Sequence, residues 1–260
     1  MKNRYLYITL LTVLGFQMEI SAQEKIKYAP RLVVNITIDQ LRSDYLEAFS
    51  PLYGSDGFKR LLSQGLVYEN ASYNFSRIDR ASAISSLVTG VSPYYHSIVG
   101  ERWLNKETLR PMNCTDDPEK EGVDSPVQLM VSTLGDELKV ATKGQAKIFT
   151  IAPNKDAAIL SAGHAADGAF WIDDHSGLWS TSKYYLNEMP TWLLAFNDLQ
   201  SISSKIKKET WEPVFELAGS FNYYQHIEEP KPFKHTFKGE KKFIDYKASG
   251  LVNRDITELA

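Results

Sequence analysis

Residues 31–39 read RLVVNITID. One leucine, two valines and two isoleucines fall within nine positions, with no glycine or proline among them. β-Branched side chains are stiff at χ1 and pack well on a pleated surface. A continuous apolar run of this length reads as a strand buried on both faces, as in a parallel sheet. It closes on a carboxylate, Asp39.

The chain after Asp39 alternates between the two periodicities. QLRSDYLEAF at 40–49 is amphipathic, and GFKRLLSQG at 57–65 sets Phe58, Leu61 and Leu62 at helical spacing before Gly65, a stop signal. LVYENASYNF at 66–75 reads as a second strand or extended segment, ASAISSLVTG at 81–90 as a short helix, and VSPYYHSIVG at 91–100 as a turn returning to the core. PVQLMVSTLGDELKVATKG at 126–144 predicts a helix ending at Gly144, and QAKIFTIAP at 145–153 a second buried strand. Strand, helix, helix, strand with buried runs predicts an α/β domain, a mainly parallel sheet flanked by helices. Residues 163–185 read as a hairpin-like excursion from that sheet, turning at His175 to Gly177. Residues 201–250, lysine-rich and aromatic without a strong period, are expected to form a surface arm.

Ahead of this domain, Lys2 and Arg4 precede an apolar run from Tyr5 to Phe16, with small residues at Ser21 and Ala22. That order is a secretory signal peptide over residues 1–22, cleaved before Gln23. The run is well short of the roughly 20 apolar residues a bilayer span needs. The mature protein is expected to be exported, periplasmic or extracellular, with no membrane span. A net charge of −3 offers no clustered basic face, so nucleic acid is not an expected partner. Cys114 is the sole cysteine, which rules out an intrachain disulfide and gives thiol catalysis little support.

Ligands in open α/β sheets bind at the carboxyl ends of strands, where Asp39 stands. A carboxylate there can ligate a cation, or it can cap the following helix. The five histidines form no pair at helical metal-site spacing. His164, among small residues in AGHAADGA, is either a hydrogen-bonded buried histidine or a ligand. No GxSxG elbow, HExxH or glycine-rich phosphate loop occurs.

Taken in order, VVNITIDQLRSDYL, SDGFKRLLSQG, LVTGVSPYYHSIVGERW, STLGDELK, AAILSAGHAADGAFW and SGLWSTSKYY resemble the alkaline phosphatase superfamily. The nearest group is the exported phosphate-irrepressible alkaline phosphatases with their phosphodiesterase and nucleotide pyrophosphatase relatives. The resemblance is dense from about residue 31 to 200. It implies an alkaline-phosphatase-like core, and a two-zinc site where a Thr or Ser nucleophile attacks the phosphorus of a phosphate ester. It also implies that residues 23–260 are the N-terminal part of such a domain, incomplete at the C-terminus, with most metal ligands beyond Ala260: either a fragment, or a shortened product whose missing half is encoded separately. Asp39 falls on the first metal-ligand aspartate.

Four other positions depart from the family pattern. The nucleophile stands nine residues before the Thr-Gly at the helix end, which here is Arg80, a permanently protonated side chain that cannot attack phosphorus. Ser82 and Ser76 are the nearest hydroxyls, Ser82 being the candidate replacement. Glu101 stands where monoesterase members carry an Asn that steadies a phosphoryl oxygen. The Lys and Arg of the family's K-D-R run align with Asn154 and Asp156, leaving Lys155 as the nearby cation. Arg80 is expected in an ion-pair cluster with Asp39 and Glu101. The resemblance thus supports a metal-dependent phosphoester hydrolase by family, or an inactive binding or interaction protein or a truncated nonfunctional product on the same fold, with zinc bound weakly or not at all.

Overall fold

The computed structural model describes residues 30–213 and 233–260, so the expected signal peptide lies outside the described residues. Met1–Ile36 and Thr37–Ala260 separate as two units. In the first, residues 30–36 are described. They form no strand, and Leu32, Val34 and Ile36 are exposed. In the second, Ile38 is exposed too. The strand expected at 31–39 is therefore absent. Its composition states a local preference, whereas a parallel strand also needs a neighbour's hydrogen-bond ladder, and no strand among the described residues pairs with it.

The second unit begins with two short helices, α1 at Ser43–Ala48 and α2 at Phe58–Gln64, the latter ended by Gly65 as expected. Neither buries a residue, and residues 66–75 are irregular in place of the strand or extended run expected there. The buried core starts at α3, Arg80–Thr89, which Asp79 caps at one end and Gly90, in the left-handed region at φ 74°, closes at the other. Its Ala81, Ile84 and Val88 pack with Ile98, Cys114 and Leu129. The one-turn α4 at Pro93–His96 then leads into an antiparallel pair, β1 at Arg102–Leu104 and β2 at Pro111–Asn113.

The helix expected over 126–144 is shorter, α5 at Leu134–Ala141. Thr133 and Asp136 form a capping box that fixes its first turn, so the apolar stretch before it is loop. Next comes a βαβ unit: β3 at Phe149–Ile151, α6 at Lys155–Ala162 and β4 at Gly168–Ile172, with β3 and β4 parallel and Phe149 in register with Gly168. Every residue of β4 is buried, and α6 buries Ala157, Ala158, Ile159, Leu160 and Ala162. A helix apolar on all sides must be covered on all sides; α6 lies against both α3 and the sheet.

The hairpin expected at 163–185 is present, with β5 at Trp179–Ser180 antiparallel to β4. It belongs to the sheet, though, because β4 is also β3's parallel partner. The Asp173 carboxylate holds the turn by accepting from the backbone of His175 and Ser176.

The expected surface arm at 201–250 is corrected over its described residues. After α7 at Thr191–Leu199 and α8 at Ile202–Lys205 the chain places Ile202, Ile206, Phe237, Phe243 and Tyr246 in the core with Phe170 and Trp179. Lysines masked this apolar set, because the aromatics fall on α9 at Lys242–Lys247 and in a loop without a sustained period. α10, Val252–Leu259, is anchored from its buried Asp255, which takes hydrogen bonds from Tyr246 and, at 2.6 Å, from Lys205. A paired backbone bridge between Trp211 and His235 joins the two sides of the stretch outside the described residues.

At Gly177 backbone and packing both demand glycine: φ is 69°, and a Cβ would lie 2.2 Å from Phe243 Cε1. Gly122 has a similar φ of 74° but open space around it. Gly177→Ala is expected to cost about 2–5 kcal/mol, the left-handed penalty plus overpacking. Gly122→Ala should cost about 1–2 kcal/mol from the backbone alone. Urea unfolding of the two variants checks the difference; equal losses would mean that Phe243 yields freely.

Candidate functional site

The N-terminus of α3 is where the expected nucleophile position falls. Asp79 Oδ1 accepts from the Ser82 backbone N–H at 2.9 Å and from its hydroxyl at 2.8 Å, while Ser82 Oγ accepts from the Asp79 N–H at 3.1 Å. Asp79 Oδ2 accepts from the Glu101 N–H at 2.7 Å. Gly100 makes this approach possible, since a Cβ there would meet Asp79 Oδ2 at 3.0 Å. Ser82 is fully buried and its hydroxyl is spent inside the capping box. The D-x-x-S spacing was a legible signal for this cap, and Asp79 was the residue that motif reading passed over.

Arg80 is the first residue of α3 and reaches across to α6. Its Nε donates to Asp156 Oδ2 at 2.9 Å and its Nη2 to Asp156 Oδ1 at 3.2 Å, a bidentate pair. The same Nη2 lies 3.0 Å from Glu101 Oε1. Burial opposes the Arg80 charge, but the Asp156 hydrogen bond and the charges of Asp156, Glu101 and Asp39 outweigh it and raise its pKa above the ordinary arginine value. Desolvation, countered by Arg80 but reinforced by Asp156, Asp79 and Asp39, lifts Glu101 above the usual carboxylate range.

Three expected pocket positions thus meet: Arg80, Glu101 and Asp156. The expected third partner, Asp39, makes no hydrogen bond among the described residues and acts on Arg80 through charge; Asp156 takes its place because α3 packs directly on α6. Lys155 turns to Asp124 Oδ1 at 2.7 Å, and Asn154 stands at the N-cap of α6 without a side-chain capping bond.

Asp39 is exposed, and no group of three His, Cys, Asp or Glu among the described residues is arranged to hold a metal. Structural and catalytic zinc sites use three or four protein ligands. The described residues around Asp39 do not fit zinc, since the group that answers its charge is a guanidinium. Burial pushes the Cys114 thiol up to about 12, which leaves it unreactive. His96 is buried, with Nδ1 accepting from the Ile98 N–H and Nε2 2.8 Å from Ser86 Oγ. An Nδ1 that accepts makes Nε2 the donor, so this imidazole cannot take a proton from Ser86. His164 is hydrogen-bonded to Asp136 at 3.2 Å, and His226 lies outside the described residues.

Residues 33–248 match the type I phosphodiesterase / nucleotide pyrophosphatase family. Alkaline phosphatase PhoV of Synechococcus elongatus is 35% identical over 220 residues, 82% of this chain and 39% of that protein. A calcium-transporting ATPase of Myroides odoratus is 35% identical over 234 residues, 87% of this chain and 42% of its own. The crystal structure of wild-type alkaline phosphatase PafA superposes with a TM-score of 0.70 at 31% identity, over 86% of this chain and 46% of that one. The chain therefore spans less than half the length of these relatives.

The bidentate pair joins side chains that are 25% and 13% exposed, close to buried but still touched by water. Removing one partner of a fully buried pair costs about 3–5 kcal/mol, and hydration lowers that here, so Asp156→Asn is expected to cost about 1–3 kcal/mol. Glu101→Gln, losing a single more exposed contact, should cost below about 1 kcal/mol. Thermal unfolding of both variants measures the ratio, and an Asp156→Asn protein as stable as the parent would show the pair contributes nothing.

Proposed function

Since the chain belongs to the type I phosphodiesterase / nucleotide pyrophosphatase family, we propose that it is a member whose phosphoryl site is filled by its own side chains and which acts by binding, not by hydrolysis. The observation that carries this reading is the bidentate Arg80–Asp156 pair. Attack on phosphorus needs an oxygen nucleophile, and Arg80 offers donors without a lone pair. Ser82 is two residues on, but activating it would require breaking the cap of α3. Transition-state charge on a transferring phosphoryl group needs preorganised donors or cations. Here the aligned positions carry Asn154 and Asp156, and Glu101 adds a carboxylate that repels phosphate.

The family is generally metal-dependent. The resemblance assigns Asp39 to its first zinc ligand, and this chain alone is proposed to bind zinc weakly or not at all. The second reading is a phosphoester hydrolase, a phosphatase or phosphodiesterase whose nucleophile has moved to Ser82; family membership favours it. The relatives named alkaline phosphatases support a phosphate ester as the substrate of that reading.

Chromogenic phosphate monoester and diester assays with zinc supplied separate the two. The expected result is no turnover above buffer for the parent chain and none for Arg80→Thr, since one hydroxyl does not restore the missing cations. Turnover by the parent, abolished by Ser82→Ala, would establish the hydrolase reading instead.

Export to the periplasm or outside the cell is proposed from the charged, apolar and small-residue order of residues 1–22. N-terminal sequencing of the secreted product should begin at Gln23, and a retained Met1 would sink the assignment.

A further inference from the structure

His96 takes no part in the Arg80 cluster, yet it holds the segment that leads there. It is fully buried at the last position of α4. Its Nδ1 accepts from the Ile98 N–H at 3.1 Å, its Nε2 lies 2.8 Å from Ser86 Oγ on α3, and its carbonyl accepts from the Met130 N–H at 3.2 Å. The ring therefore straddles Ser97, which sits at φ 69° in the left-handed region that a residue with a Cβ seldom adopts. Gly100 follows, and then Glu101, whose N–H donates to Asp79 Oδ2 at 2.7 Å. One imidazole thus closes a turn whose far end is the Arg80 cluster.

The ring can do this only while it is neutral. Nδ1 has a single lone pair and gives it to Ile98, so a proton on Nδ1 would set one N–H against another. Burial opposes the charge as well and holds the His96 pKa below the ordinary histidine value. The elements around it offer no free anion. The charged residue of α3 is Arg80, held by Asp156 and Glu101. α4 otherwise carries Tyr94 and Tyr95, both exposed, and Val127–Met130 have no ionisable side chain. The Cys114 thiol, pushed up to about 12, stays neutral, and Glu101 at the far end of the turn faces Arg80.

We propose that residues 97–101 form a proton-operated latch: protonation of His96 breaks its bond to Ile98, releases the left-handed turn and withdraws the Glu101 N–H from Asp79. The latch works in the same way under either reading of the site's activity. Because the folded value is the lowered one, the stability of the closed turn is complete above about 6.5, where a released histidine titrates, and is lost as pH falls below it.

Amide hydrogen exchange of the full chain between pH 7.5 and 5.5, corrected for the intrinsic pH dependence of exchange, tests the latch. Ile98 and Glu101 are expected to lose protection together, about tenfold across that range, while Ala158 inside α6 keeps its own. The Glu101 carboxyl also binds its proton more tightly than usual, and His96→Asn separates the two groups. The asparagine oxygen can accept from the Ile98 N–H and gains no proton, so both amides should stay protected with the pH step gone. If that variant does not fold, the His96 ring resonances of the parent decide, since a midpoint at or above the ordinary histidine value would overturn the proposal. It also fails if Ile98 and Glu101 are equally protected at both pH values, if Ala158 loses protection with them, if Glu101 holds while Ile98 exchanges, or if His96→Asn keeps the step.

Discussion

Two helix N-termini meet at Arg80 and Asp156, and what the site can do depends on how that meeting is neutralised. The N-terminal end of a helix carries partial positive charge and favours anions. Asp156, in the first turn of α6, agrees with that rule; Arg80, at the first position of α3, breaks it. A cation there is tolerated because Asp79 caps the helix, Asp156 takes both arms of the guanidinium and Glu101 takes one again. Where a helix end of this kind usually invites an external oxyanion, the anions here come from the chain itself.

The packing below the cluster is what permits the bond. α6 is built largely from alanine on its buried faces, and small side chains let a neighbouring helix approach closely. With α3 on one side and β4 on the other, the first turn of α6 is brought within reach of Arg80. The same close packing leaves Ser82 and Ser85 buried inside α3, one of them satisfied by the cap and the other without a partner among the described residues. Asp136 shows the same economy of polar groups at α5, where one carboxylate caps a helix and fixes the turn at His164.

How much of this was legible follows from the kind of signal each element carried. β3 and the β4–β5 hairpin lie in contiguous apolar runs whose partners are near in sequence, so pattern was enough; α6, between them, has no amphipathic stripe because it is buried on several sides, and periodicity passed it over. The stretch at 31–39 had the clearest strand pattern of all and forms none, because pairing is a property of two segments and the pattern belonged to one. The helix predicted from residue 126 began at 134 because a capping box outweighs apolar periodicity. At the site, residue-by-residue correspondence located Arg80, Glu101 and Asp156. Which carboxylate would take the guanidinium depended on the distance between α3 and α6, a tertiary quantity. Asp39, at the end of the apolar run, acts on Arg80 through charge.

The paired positions also constrain one another. Without its guanidinium, the cluster would hold Asp79, Glu101, Asp156 and Asp39 as like charges, and Glu101 already binds its proton more tightly than a free carboxylate, chiefly through burial and further through those neighbours. Two carboxylates sharing a site cannot both ionise freely. With Arg80 kept, Asp156 and Glu101 have a counter-charge in contact and Asp39 has one at a distance. The residues at 80, 101 and 156 therefore act as one unit, whose pairwise contributions do not add. A change at any single position therefore moves the charge balance at the other two.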